Sequence, residues 1–344
     1  MRNGTITLAM GNRKQAANHG QNEVSALRGA LLAWYRRHRR ELPWRRDSDA
    51  YRVWISEIML QQTRVAAVLE HYRLFLEAFP TVADLASSDE DRVLALWSGL
   101  GYYRRARQLR RAAQFVVQQT QCKFPENSQD LRQLPGVGRY TAAAIASIAF
   151  AEPVAVVDGN VERVLSRLDG LPRTGEAVWQ RAQELLDPQH PGDWNQAMME
   201  LGATVCTPRA PQCLLCPVQS WCKAPGAETA RPQPARKRLR VVCAVVRHAG
   251  RLYLVCRAAD AAKMAGMWEL PEVDGKASGA GHELCMVRHS ITDTDYEVRV
   301  VALPLRAVEA KARRAGRWIA MSELATLPLT GLTRKILRHQ HLLL

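Results

Sequence analysis

The sequence predicts a multidomain chain: an all-α domain ending in a four-cysteine loop, followed by a smaller α+β domain. Three observations carry this. Apolar residues recur at helical spacing through the first two thirds of the chain. Residues 223–239, within KAPGAETARPQPARKRLR, are rich in Pro, Ala and basic side chains, have no apolar face and read as a linker. Beyond residue 240 the apolar runs are short and β-type. A chain of 344 residues is long enough for separate cores. Its 48 Lys and Arg against 33 acids, net +15, attract polyanions and make nucleic acid the leading partner; the plain alternative is a soluble basic surface. No apolar run approaches the roughly 18 residues of a membrane span, and no lipidation or secretory signal is visible, so a cytoplasmic, nucleoid-associated protein is expected.

Taken in order, residues 1–22 lack periodicity and read as a flexible leader. Helical patterning begins near Val24 and stops at RRHRRELP, before Pro43. Val65, Val68, Leu69, Tyr72, Leu76 and Phe79 then share a helical face up to Pro80. Further helices are expected near residues 89–97, 103–120, 139–150, 160–169, 176–187 and 194–203. In the second domain, RVVCAVVRHAGRLYLVCRA gives two β-runs around a Gly-containing turn. WELPEV, HELCMVRH and YEVRVVAL follow as strands, with a helical tail from about Ser322.

Two motifs carry chemistry on their own. Cys206, Cys213, Cys216 and Cys222 are separated by six, two and five residues, a spacing that can close around one metal centre. Zinc ribbons usually join two short Cys pairs, and only Cys213 and Cys216 form one here, which favours an iron–sulfur cluster; the interval matches no ferredoxin pattern, so zinc stays open. Disulfides are the third reading and suit a cytosolic chain poorly. The second motif is LPGVGRYTAAAIASIAF, where Gly136 and Gly138 allow a tight turn whose amides, with those opening the next helix, can clamp a phosphate. A glycine-capped helical corner is the plain alternative.

LPGVGRYTA, VDGNVERV and the four-Cys loop together resemble the helix-hairpin-helix base-excision glycosylases typified by endonuclease III, over residues 24–222. SEIMLQQTRV and NQAMMELGATVC, with the added α+β domain, narrow the resemblance to the MutY-like adenine glycosylases. The resemblance implies a helix-hairpin-helix glycosylase domain (23–222) with a 4Fe-4S cluster on the four cysteines, followed by a Nudix (MutT)-like domain (240–344) that recognises 8-oxoguanine. It also implies a monomer that removes adenine opposite 8-oxoguanine or guanine in double-stranded DNA.

Breaking the adenine–deoxyribose bond needs a proton for the departing base and an anion near the cationic sugar. Glu57 in VWISEIML has apolar neighbours that would keep it protonated, and Asp158 precedes a helix whose amides would hold it ionised. The bland readings are a surface Glu and an N-cap. The resemblance makes Glu57 the general acid and Asp158 the sugar-cation stabiliser. It places Tyr140 at the reaction centre, where endonuclease III-like relatives carry a lysine; a phenol forms no imine, so a monofunctional enzyme leaving an abasic site is expected. It also assigns Gln61 and Tyr102 as wedges, Gln61 standing one helical turn after Glu57, and puts Arg45 and Gln196 near the extruded adenine. Gly136, Gly138 and Asn160 are implied DNA contacts, and the arginines of YYRRARQLRR read as phosphate contacts or a solvated face. No stretch after residue 240 has clustered REXXEE-type acids, so no nucleotide hydrolysis is expected there. In RHSITDTDYEV only Thr292 keeps the Phe-Ser/Thr-His pattern of the 8-oxoguanine contact, Ile291 and Asp293 replacing its neighbours. Two rivals are a bifunctional glycosylase/lyase and a non-catalytic DNA-damage binding module.

Overall fold

A computed structural model describes residues 4–227, 235–274 and 281–343, with side chains from Gln21 onward. Its contacts divide the chain into two compact units: Met1–Glu57 with Lys123–Pro232, and Ile58–Cys122 with Gln233–Leu344.

The first unit is helical. Its first helix α1 (Gly4–His38) starts well before Val24; residues 4–20 contain no proline, so helix propensity can carry the chain on where an amphipathic face is missing. After a short turn at Pro43–Arg45, α2 (Ala50–Leu60) crosses from this unit into the second. The first unit resumes with α7 (Ser128–Leu131), α8 (Arg139–Ala149), α9 (Gly159–Asp169), α10 (Glu176–Leu185) and α11 (Pro191–Thr204). One core binds α1, α9, α10 and α11: Leu31 and Tyr35 of α1, Val161, Val164, Leu165 and Leu168 of α9, Val178 of α10, and Trp194, Ala197, Met198 and Leu201 of α11 are buried together. Truncating a side chain such as Leu165, fully buried here, would cost about 2–5 kcal/mol.

In the second unit, α3 (Val65–Ala78), α4 (Val82–Ser87), α5 (Glu90–Trp97) and α6 (Arg104–Thr120) accompany the C-terminal α/β region. Strand β1 (Lys237–Val245) begins three residues before 240, and part of the expected linker, 228–234, lies outside the described residues. The other strands are β2 (Arg247–His248), β3 (Arg251–Cys256), β4 (Trp268–Glu269), β5 (His282–Ile291), β6 (Thr294–Ala302) and β7 (Gly316–Ala320). One sheet runs β1-β6-β5, with β1 parallel to β6; the other joins β2, β3, β4 and β7. The two runs around the Ala249–Gly250 turn therefore serve different sheets, only the short β2 pairing with β3. The helix α12 (Ala310–Ala315) was not anticipated, nor was β7. The expected tail from Ser322 is broken: a 3-10 stretch, Met321–Thr326, ends ahead of Pro328, and α13 (Gly331–His339) restarts after it. No helix among the described residues is long and apolar enough to cross a membrane.

Candidate active site

Glu57, Tyr140 and Asp158 influence one another within the first unit. The Tyr140 hydroxyl donates to Glu57 Oε2 at 2.8 Å and lies 3.3 Å from the Met199 sulfur. Glu57 is 6% exposed. Burial pushes its carboxyl from 4.5 to about 7; the Asp158 charge pushes the same way, while the Tyr140 bond and the Arg45 charge pull it down. Burial, then the charges of Glu57 and Asp158, hold the Tyr140 phenol well above its usual range. A carboxyl at about 7 is half protonated near neutrality, the condition a general acid needs.

Asp158 is the N-cap of α9, so its bland reading is right and compatible with the sharper one. Its Oδ1 accepts from the Asn160 and Val161 amides at 2.9 and 2.8 Å, and its Oδ2 from Asn160 Nδ2 at 2.8 Å. The extended stretch leading to it is pinned by side chains. Asn195, buried on α11, accepts from the Val156 amide and donates to the Val154 carbonyl and to Ser147 Oγ. Gln183 accepts from the Ala155 amide and donates to the Pro153 carbonyl. Close helix packing depends on Gly202: a Cβ there would stand 2.6 Å from Asn160 Cβ and 3.0 Å from its carbonyl oxygen.

The hairpin lies between α7 and α8. Gly136 takes φ +79°, the left-handed region that favours glycine. Gly138 is the N-cap of α8 at φ −90°, a conformation open to any residue, and it makes no side-chain cap hydrogen bond. Both glycines are exposed.

The remaining expected residues lie on several elements. Because α2 ends at Leu60, Gln61 sits in the following turn and not on the helix face of Glu57. Arg45 pairs with Glu200 at 2.8 Å, while Arg40 donates twice to the same carboxylate at 2.7 Å. Burial works against the Glu200 charge, but these bonds outweigh it and leave the carboxyl at about 2. Gln196 is half-buried on α11. Of the arginines read as phosphate contacts, Arg105, Arg107 and Arg110 are committed internally: to carbonyls of residues 58–61, to Glu90 and the Ala265 carbonyl, and to the Ser88 carbonyl. Arg104 and Arg111 stay exposed. Tyr102 is 47% exposed at φ +49°. Thr292 lies exposed in the β5–β6 turn, its hydroxyl 3.2 Å from the Asp293 carboxylate, which hydroxyl bonds from Thr294 and then Thr292 hold below its usual range.

Cys206, Cys213, Cys216 and Cys222 are unpaired and half-buried. Burial and the neighbouring three thiols push Cys216 up to about 11. Arg167 donates to Cys206 Sγ at 3.1 Å and the Gly226 amide to Cys213 Sγ at 3.2 Å. Among the described residues, no group of three or more His, Cys, Asp or Glu is arranged to hold a metal ion. Arg163 joins this loop to the site helix, bonding the Cys206 and Gly202 carbonyls and Asn160 Oδ1. Sequence reasoning missed Glu200, Asn195 and Arg163, whose partners are distant in the chain; NQAMMELGATVC, which holds two of them, was singled out only as a motif.

A buried acid bonded to a tyrosine and coupled electrostatically to an N-cap aspartate provides the proton donor and the anion that glycosidic-bond cleavage calls for. Residues 55–188 match the family described as HhH-GPD superfamily base excision DNA repair protein. The chain is 51% identical over 217 residues to the adenine DNA glycosylase of Homo sapiens, covering 59% of this chain and 40% of that protein. It is 39% identical over 306 residues to the adenine DNA glycosylase of Arabidopsis thaliana, covering 74% and 48%. The chain thus spans less than half the length of these two relatives. A solved thermostable thymine-DNA glycosylase is similar with a TM-score of 0.56 at 29% identity, over 59% of this chain and 97% of that one.

Proposed function

We propose that this protein is a monofunctional DNA glycosylase that excises adenine mispaired with 8-oxoguanine or guanine in duplex DNA and leaves an abasic site. The observation that carries the reading is the 2.8 Å bond from Tyr140 to a buried Glu57 whose carboxyl lies at about 7. Protonated Glu57 gives its proton to the base as the glycosidic electron pair leaves with it. The Asp158 carboxylate, oriented by the α9 amides, faces the cationic sugar until water adds. Tyr140 stands where a lyase would need an amine, so the sugar forms no imine and the strand stays intact.

Cys206, Cys213, Cys216 and Cys222 would hold a 4Fe-4S cluster. The N–H donors aimed at the Cys206 and Cys213 sulfurs suit thiolate ligands, and a cluster spreads its ligands over several irons where zinc would need every sulfur about 2.3 Å from one ion. When bound, the cluster cross-links the loop and can exchange an electron. The exposed hairpin glycines, Arg104, Arg111 and the net charge of +15 support duplex DNA as partner. In this reading the C-terminal α/β region is a Nudix-like recognition module, with Thr292 at its contact with the 8-oxoguanine strand, and the protein acts as a monomer at the nucleoid. Incubation with a duplex bearing adenine opposite 8-oxoguanine, followed by alkali, tests the reading: cleavage of the adenine strand only after alkali is expected, and cleavage without alkali would refute it.

A further inference from the structure

We infer that Arg105 is a positioning residue that locks two separate turns into one rigid mount for the exposed Tyr102 ring. The inference rests on the reading of the chain as a glycosylase acting on duplex DNA. Arg105, in the first turn of α6, is half-buried rather than turned to solvent. Its Nη1 donates to the Ile58 carbonyl at 2.9 Å and to the Gln61 carbonyl, at the end of α2 and in the turn after it. Its Nη2 reaches Thr63 Oγ1 at 3.3 Å and the Leu100 and Gly101 carbonyls at 3.5 Å. One planar fork thus ties residues 58–63 to residues 100–101, and its Cζ lies 5.7 Å from the Trp97 ring centroid and 5.1 Å from that of Tyr102.

What this mount presents is chemically specific. Tyr102 holds a left-handed backbone at φ +49° and leaves its ring 47% exposed, a posture that needs support from its surroundings. An exposed aromatic ring held over a cation suits insertion into a base stack, and extrusion of a base must be offset by such a wedge. Lysine could keep the charge but not the fork, because its point charge cannot span both turns.

The test uses Arg105→Lys and Arg105→Met in the full chain, with 2-aminopurine beside the target adenine reporting unstacking. Single-turnover excision is compared on two duplexes, adenine opposite 8-oxoguanine and adenine opposite a one-nucleotide gap, where extrusion costs less. Both variants are expected to lose about 10-fold or more in rate on the paired duplex, with a smaller 2-aminopurine rise, and to come within about 3-fold of wild type on the gapped one. Equal losses on both duplexes would assign Arg105 to general stability, and an unchanged fluorescence rise would also overturn the inference. If neither variant stays folded, Arg105→Gln, which keeps a planar donor at shorter reach, takes over as the probe: the same paired-only loss keeps the mount, and its absence removes it. Wild-type protein that leaves both duplexes intact would instead refute the glycosylase reading itself.

Discussion

In the proposed reaction Glu57 joins stability and catalysis in one group. A carboxyl raised from 4.5 to about 7 costs the folded state nothing below pH 4.5; its penalty grows between pH 4.5 and about 7 and levels off at about 3 kcal/mol above that. Glu57→Gln should therefore raise the unfolding midpoint at pH 8 relative to wild type and change it little at pH 4.5, while abolishing excision; thermal melts at the two pH values check this. Wild-type excision should fall as pH rises above about 7, when the proton is lost. Tyr140→Phe removes a bond that favours the charged carboxylate, so the alkaline fall-off of the rate should move to higher pH, read from a single-turnover pH profile. Glu57, Asp158 and Tyr140 stood out because each sits in a local motif that carries the family resemblance: VWISEIML, VDGNVERV and LPGVGRYTA. Glu200 did not, because its meaning depends on Arg40, 160 positions away, and nothing local distinguishes a paired interior acid from a surface one.

At the scale of elements, the position of Asp158 depends on how closely α11 approaches α9. Gly202→Ala would place a Cβ 2.6 Å from Asn160 Cβ, and Asn160 both bonds Asp158 and follows it by two residues. The helices must part, costing about 1–3 kcal/mol, and a displacement near 1 Å at the carboxylate can cost about 100-fold in rate. Excision assays and chemical denaturation of the variant measure the two effects; full activity in Gly202→Ala would contradict this placement. Helix spans such as Arg104–Thr120 and Arg139–Ala149 followed from periodicity within a residue or so. The α2 end did not, because it is set by the Arg105 guanidinium from another helix. The same long-range commitments explain why Arg105, Arg107 and Arg110 turned inward where sequence alone suggested phosphate contacts.

For the whole molecule, the net charge of +15 predicts DNA binding that weakens steeply with salt. If about six phosphates are neutralised, affinity should drop about 10³-fold between 50 and 200 mM salt, and a titration of fluorescent duplex checks it; a flat response would remove the basic surface from the account. The sheet pairing of the C-terminal region was illegible from sequence, since β1 joins the distant β6 in parallel while the turn next to it builds another sheet. The central claim is adenine excision by Glu57. Its most direct test is single-turnover incubation of wild type and Glu57→Gln with a duplex bearing adenine opposite 8-oxoguanine, followed by alkali. The account predicts cleavage of the adenine strand that needs alkali and vanishes in the variant; cleavage that persists in Glu57→Gln, or that needs no alkali in wild type, would contradict it.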